Sequence, residues 1–147
     1  MKIIYKNKKA YFDYEILEEY KAGLILTGSE TKSVRNGGIN LTGCYVVMQK
    51  EEAFLKGAKI TQFKHDSSDD YDAFRMRKLL LKKKEIYKIS NHLNTSGVTI
   101  VPLAIFLEKC YIKLLMGVAR GKKKHDKRQS IKDKDIKKRL NQAMKRY

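Results

Sequence analysis

Thirteen basic residues against three acidic ones fill the C-terminal stretch from Arg120 to Tyr147. A segment so charged cannot bury enough apolar surface to fold by itself, so it divides the chain into a domain and an arm. The break falls within Gly117 to Arg128, GVARGKKKHDKR, where an apolar run gives way to lysines. We therefore expect a packed domain over 1–119 and a basic tail over 120–147, disordered until an anionic partner neutralises it. The tail is not featureless: Ile136, Leu140, Ala143, Met144 and Tyr147 form one helical stripe, and Asp135 is placed to cap its start. Isolated helices shorter than ~12–15 residues are marginal in water, so a helix around 135–147 should form mainly on a partner. The alternatives are docking on its own domain or on a membrane surface, the latter disfavoured by the thin stripe and the lack of Trp.

The whole chain has 33 Lys plus Arg against 16 Asp plus Glu, a formal charge of +17 over 147 residues. Such a field draws polyanions, nucleic acid first. No stretch approaches the ~20 apolar residues of a membrane span, and no leader-like apolar run opens the chain, so a cytoplasmic protein with no membrane partner is expected. Cys44 and Cys110 lie far apart, each beside apolar residues, which predicts buried free thiols.

Nothing points to catalysis or a cofactor. His65, His92 and His125 stand apart, without a Ser/His/Asp or Cys/His set, a Gly-rich phosphate loop or zinc spacing. The acidic stretch HDSSDDYD reads as a mobile loop and fails as a calcium loop, since Arg77 falls where a bidentate Glu is needed. No metal site is expected.

The domain reads as mainly β. Ile3 to Tyr5 is a short strand; from Asp13, Ile16, Leu17 and Tyr20 suggest a helix that Gly23 stops, and Leu24 to Thr27 a buried strand. Ser29 to Arg35 suggests a short helix capped by Ser29 and ended by Asn36-Gly37-Gly38. Cys44 to Met48 and Ala53 to Ile60 read as strands joined by a polar turn, with Gly57 as a bend. Lys82 to Leu93 carries Glu85, Ile86, Ile89 and Leu93 at helical spacing, and Val98 to Leu107 and Tyr111 to Ala119 are the last strands. Pro102 belongs at a strand end, an edge or a bulge. Five or six strands, about three short helices and bend glycines suit a small closed Greek-key barrel of the oligonucleotide-binding (OB) type.

The chain resembles the SsrA-binding protein, or small protein B, family of bacteria. The resemblance rests on Asn7-Lys8-Lys9-Ala10, on Ala22-Gly23 leading into Gly28-Ser29-Glu30-Thr31-Lys32-Ser33-Val34-Arg35, on Arg75-x-Arg77-Lys78-Leu79-Leu80-Leu81 and on Gly121-Lys122-Lys123-x-His125-Asp126-Lys127-Arg128, in the family's order across essentially the whole chain. It implies an OB-like barrel that binds transfer-messenger RNA (tmRNA) and delivers it to stalled ribosomes for trans-translation. It also implies that Asn7, Lys8, Glu30, Lys32, Ser33, Arg35, Arg77, Lys78 and Leu80 lie on or near the surface meeting the RNA's transfer-like domain, with Leu80 and Ser33 open to a role in the fold and Glu30 to a structural ion pair. In the tail, Lys122, Lys123, His125, Asp126, Lys127 and Arg128 would meet the small ribosomal subunit and its RNA, and Lys137, Lys138 and Arg139 would follow the message path. The sequence departs from the family twice, with Lys21 for the usual Glu before Ala-Gly and Asp72-Ala73 for Asp-Pro, which suggests a looser loop. The alternative is a general OB-type RNA-binding protein or chaperone without enzymatic activity. A long positive surface argues for a monomer.

Overall fold

The structure is a computed structural model and describes residues 2–122. The tail residues His125, Asp126, Lys127, Arg128, Lys137, Lys138 and Arg139, together with Lys123, lie outside the described residues, as does the expected helix around 135–147.

Three helices and nine strands are found among the described residues: β1 Lys2–Lys6, α1 Lys8–Asp13, β2 Tyr14–Leu24, α2 Gly28–Arg35, β3 Ile39–Asn40, β4 Tyr45–Gln49, β5 Glu52–Lys56, β6 Lys59–Ile60, β7 Arg77–Leu80, α3 Lys83–Leu93, β8 Val98–Glu108 and β9 Tyr111–Gly121. Seven strands form one antiparallel sheet in the order β1-β8-β9-β2-β7-β5-β4, and β3 pairs with β6 apart from it. The expected closed barrel is not what the ladders form. The sheet is open, with β1 and β4 as its two edges.

Two long ladders make the frame, β2 with β9 and β8 with β9, each running from the Gly121 end to the Lys113 end of β9. Their inward residues, among them Tyr20, Ala22, Ile105, Leu114, Met116 and Val118, join Leu55, Leu79 and Ile89 in the core. Pro102 sits at the register shift between Pro102 and Ala104 in the β8–β9 ladder, where an absent amide donor does no harm. Gly57, at φ +84°, turns the chain from β5 in the large sheet to β6 in the small one. Lys50 and Glu51 make the hairpin turn between β4 and β5 with left-handed φ values of 47° and 65°.

The helix expected from Asp13 is instead strand β2. A bulge between Ile16 and Glu18 breaks its pairing with β9, so alternation restarts there and Tyr20 and Ala22 point inward. The interrupted period mimics helical spacing, and pairing with the apolar β9 decides in favour of the strand. The helix lies just before it: α1 begins at Asn7, whose side chain accepts from the Ala10 N–H. Gly23 accordingly stops nothing. It lies inside β2 opposite Leu80, where an added Cβ would stand 3.2 Å from the Leu80 Cβ. Leu24 ends β2, and Ile25, expected in a buried strand, is 44% exposed.

Candidate nucleic-acid interface

Helix α2 is fixed at its start by a capping box. The Thr27 side chain accepts from the Glu30 N–H at 3.2 Å, and the Glu30 carboxylate accepts from the Thr27 N–H at 3.0 Å. The cap is therefore Thr27, two residues before the expected Ser29. Beyond the cap, the same carboxylate receives Arg77 Nε at 2.8 Å and Nη2 at 2.6 Å, and also Arg75 Nη2. Arg77 further donates to the Ala58 and Ala73 carbonyls. One buried guanidinium thus ties α2, the β5–β6 bend and the segment leading into β7.

Both charges are fully enclosed, Glu30 at 1% and Arg77 at 0% exposure. Burial alone would raise the Glu30 pKa, but the Thr27 N–H and the Arg75 and Arg77 guanidinium groups outweigh it and hold the carboxyl below its ordinary value. Ser33 is buried too, donating to the Thr61 carbonyl. Three residues expected to meet RNA, Glu30, Ser33 and Arg77, are therefore inside the fold. Glu30 and Arg77 find their partners in each other, and Ser33 finds its own in the Thr61 carbonyl, so each polar group is satisfied inside the fold.

The residues left outside are Lys32 and Arg35 on α2, and Lys78 and Leu80 on β7. Arg35 Nη2 donates to the Cys110 carbonyl at 3.0 Å, tying α2 to the β8–β9 hairpin. Lys32 lies 5.5 Å over the Phe63 ring. Lys78 reaches Glu52 at 3.2 Å. Between α2 and the hairpin runs a groove whose lining includes Thr31, Leu80, Tyr111 and Lys113. Leu80 and Tyr111 are 53% and 65% exposed, so the groove offers apolar surface with the Lys113 cation beside it.

Asn7 and Lys8 do not share this surface. Asn7 lies beside Pro102 and Leu103 of β8, whose ladder leads through Met116 of β9 to Tyr20 in the middle of β2, so β9 and β2 stand between it and Leu80 on β7. Asn7 acts structurally there, donating to the Pro102 carbonyl at 2.9 Å, while Lys8 is exposed on α1. The root of the tail lies at the far end of α1, beside the start of β2: the Lys122 N–H bonds the Asp13 carbonyl, and Gly121 pairs with Tyr14.

Lys21 is accommodated by an acid. Its ammonium lies 3.6 Å from Glu108, which also faces Lys113, and 5.7 Å from the centre of the Phe106 ring. The segment carrying Asp72-Ala73 is held at both residues: Asp72 accepts from the Phe74 N–H, and the Ala73 carbonyl accepts from Ile60 N–H and Arg77. Of the thiols, Cys44 is half-buried, with its pKa pushed up to about 12 by burial, whereas Cys110 is exposed, contrary to expectation. Sequence reasoning missed Thr27, Phe63 and Tyr111. The threonine had a signal, since T-x-x-E before a helix is a capping box; the other two depend on loop geometry.

No group of three or more His, Cys, Asp or Glu able to hold a metal occurs among the described residues, and none of their helices is long and apolar enough to cross a membrane. A curled antiparallel sheet with cations at both ends of its long ladder defines a small basic domain of the polyanion-binding class. More particularly, the chain belongs to the SmpB protein family, whose model matches residues 4–146. It is 44% identical to an SsrA-binding protein of Listeria welshimeri over 98% of this chain and 94% of the relative. It is 43% identical to one of Chlamydia trachomatis, over 99% and 97% of the two chains. A solved chain described as "tmRNA-SmpB: a journey to the center of the bacterial ribosome" superposes with a TM-score of 0.67 at 37% identity, covering 86% of this chain and 93% of that one.

Proposed function

We propose that this protein binds tmRNA through the groove between α2, β7 and the β8–β9 hairpin and carries it to stalled ribosomes. Membership of the SmpB family over residues 4–146 is the observation that carries this reading. The site chemistry agrees with it. Lys32, Arg35 and Lys113 supply cations for phosphates, while Leu80 and Tyr111 offer apolar faces to unstacked bases. Arg77, Glu30 and Ser33 act from inside by holding α2 against β7, and so position Lys32 and Arg35 rather than touching RNA. Lys78 and Lys8 extend the field.

The sheet curls so that β4 packs across β8, and we take this curl as the OB-like character of the domain. The tail, from Lys122 and Lys123 through His125, Asp126, Lys127 and Arg128 to Lys137, Lys138 and Arg139, serves a separate task on the small subunit and the empty message path. Its root at the Tyr14 end of β2, with Leu80 opposite Gly23 near the other end, suits a protein that meets two RNAs at two ends. The role is that of an adaptor in the cytoplasm without catalytic chemistry.

Competition binding tests the reading. The isolated transfer-like domain of tmRNA should bind tightly, and unstructured RNA of equal mass should compete poorly. Equal competition would make this a general RNA-binding protein instead. Truncation after Lys122 should leave most of that affinity and abolish peptide tagging.

A further inference from the structure

Most cations of the groove face already have partners: Lys21 and Lys113 meet Glu108, Lys78 meets Glu52, Arg75 meets Glu30 and Arg35 meets the Cys110 carbonyl. Helix α3 differs. Lys82, Lys83, Lys84 and Lys88 lie along its first turns, on the solvent side. The nearby acid on the helix, Glu85, is engaged in the cap, accepting from the Lys82 N–H at 3.0 Å. Among them stands Tyr87, 69% exposed, the most exposed large apolar side chain of the described residues. Ile89 anchors the opposite face of the helix in the core.

Tyr87 borders a groove of about 480 Å³ lined by Glu51, Lys83, Ile86, Tyr87 and Ser90. Its lining sets the Ile86 and Tyr87 side chains beside one ammonium, that of Lys83, and one carboxylate, Glu51, enters from the β4–β5 turn. Aromatic rings beside ammonium groups suit an unpaired base whose backbone follows the cations. A carboxylate at the same place repels phosphate but accepts from an exocyclic amino group. A base edge with such a group fits the groove centre, and phosphates fit the Lys83, Lys84 and Lys88 side. Lys88 also faces Glu18 of β2, so Lys83 and Lys84 are the freer charges.

We propose that α3 and the β4–β5 turn form a second RNA-binding face, which takes an unpaired segment with an amino-bearing base on Tyr87, while the α2–β7 groove holds the other RNA. The occupant is RNA rather than an acidic protein, because the exposed Tyr87 ring offers a stacking face and Glu51 an acceptor for a base amino group, while an acidic side chain in the groove would meet Glu51 with nothing to donate. This rests on the RNA-binding reading of the family but on different residues, so the two fail separately.

The full chain, labelled with ¹⁵N and already saturated with the transfer-like domain, is titrated with short oligocytidylate and oligouridylate. Amides of Lys83, Tyr87, Ser90 and Glu51 should shift with oligocytidylate, and less with oligouridylate, which lacks the amino group. Tyr87→Ala should weaken this site about tenfold, and Glu51→Gln, which can donate as well as accept, should erase the cytidylate preference. Replacing Lys83 and Lys84 by Gln should lower the salt slope by about 0.7 for each phosphate no longer neutralised. Well-dispersed spectra of each variant show that the fold is kept. Shifts confined to the tail, or α3 shifts that Tyr87→Ala leaves unchanged, would overturn the proposal. Failure of the transfer-like domain to bind at all would instead overturn the function proposed above.

Discussion

Arg77 and Glu30, 47 positions apart, meet inside the fold with Nη2 2.6 Å and Nε 2.8 Å from the same carboxylate oxygen. Two opposite charges are thus locked where α2, the β5–β6 bend and β7 converge. Removing one partner strands the other in a low-dielectric site. We expect Arg77→Met to cost about 3–5 kcal/mol, read as a lower urea midpoint. Arg77→Lys should cost less, because a lysine keeps the charge and loses the fork.

The same pair sets an acid dependence. The Glu30 carboxyl is held below its ordinary value of 4.5 in the folded protein. Its stabilising contribution is therefore fully present above that value and is lost as pH falls through the lower folded one. Stability of the protein should drop on acidification below about pH 4.5, and in Glu30→Gln that part of the drop should be absent. Urea titrations at several pH values measure it; identical pH profiles for the two proteins would contradict the assignment.

Gly38 abuts α2 so closely that a Cβ would lie 2.3 Å from Ser33 Oγ and 2.9 Å from the Ser33 carbonyl oxygen. A side chain there must push the helix end away. Gly38→Ala should destabilise by ~1–3 kcal/mol, visible as a lower Tm.

Leu80 is half exposed, and little of the fold depends on it. Leu80→Ala should leave the Tm within a few degrees and weaken binding of the transfer-like domain by ~1 kcal/mol, because less apolar surface is covered by the RNA. Arg77→Lys, by contrast, should move both quantities, since it acts through the fold.

The thiols should separate by rate. Cys110 is exposed, while Cys44 is half-buried with its pKa raised to about 12. A thiol reagent at neutral pH should modify one cysteine quickly and the other only on unfolding. Cys110→Ser should remove the fast phase.

Much of the domain was legible because its elements obey one period each. The runs now seen as β8 and β9, the helix α3 and the bend at Gly57 needed only apolar patterning and a glycine. Strand β2 was not legible, since its bulge turned a period of two into something close to a helical one. The site divided along the same line. Lys32, Arg35 and Leu80 face outward, whereas Glu30, Ser33 and Arg77 are enclosed. Their letters are those of a polar surface, and nothing local distinguishes an arginine that meets a phosphate from one that meets a carboxylate 47 positions away.

By itself, the sequence determined the uneven spread of charge, with thirteen basic residues against three acidic ones from Arg120 to Tyr147, because net charge is a sum over residues and needs no coordinates. It also carried the family motifs. Only the tertiary structure decided that Asn7 sits beside β8 with β9 and β2 between it and Leu80, that Lys21 is matched by Glu108, and that Arg77 is enclosed by the fold. Those outcomes depend on which strand pairs with which, and burial of a charge follows from long-range partners that no local pattern encodes.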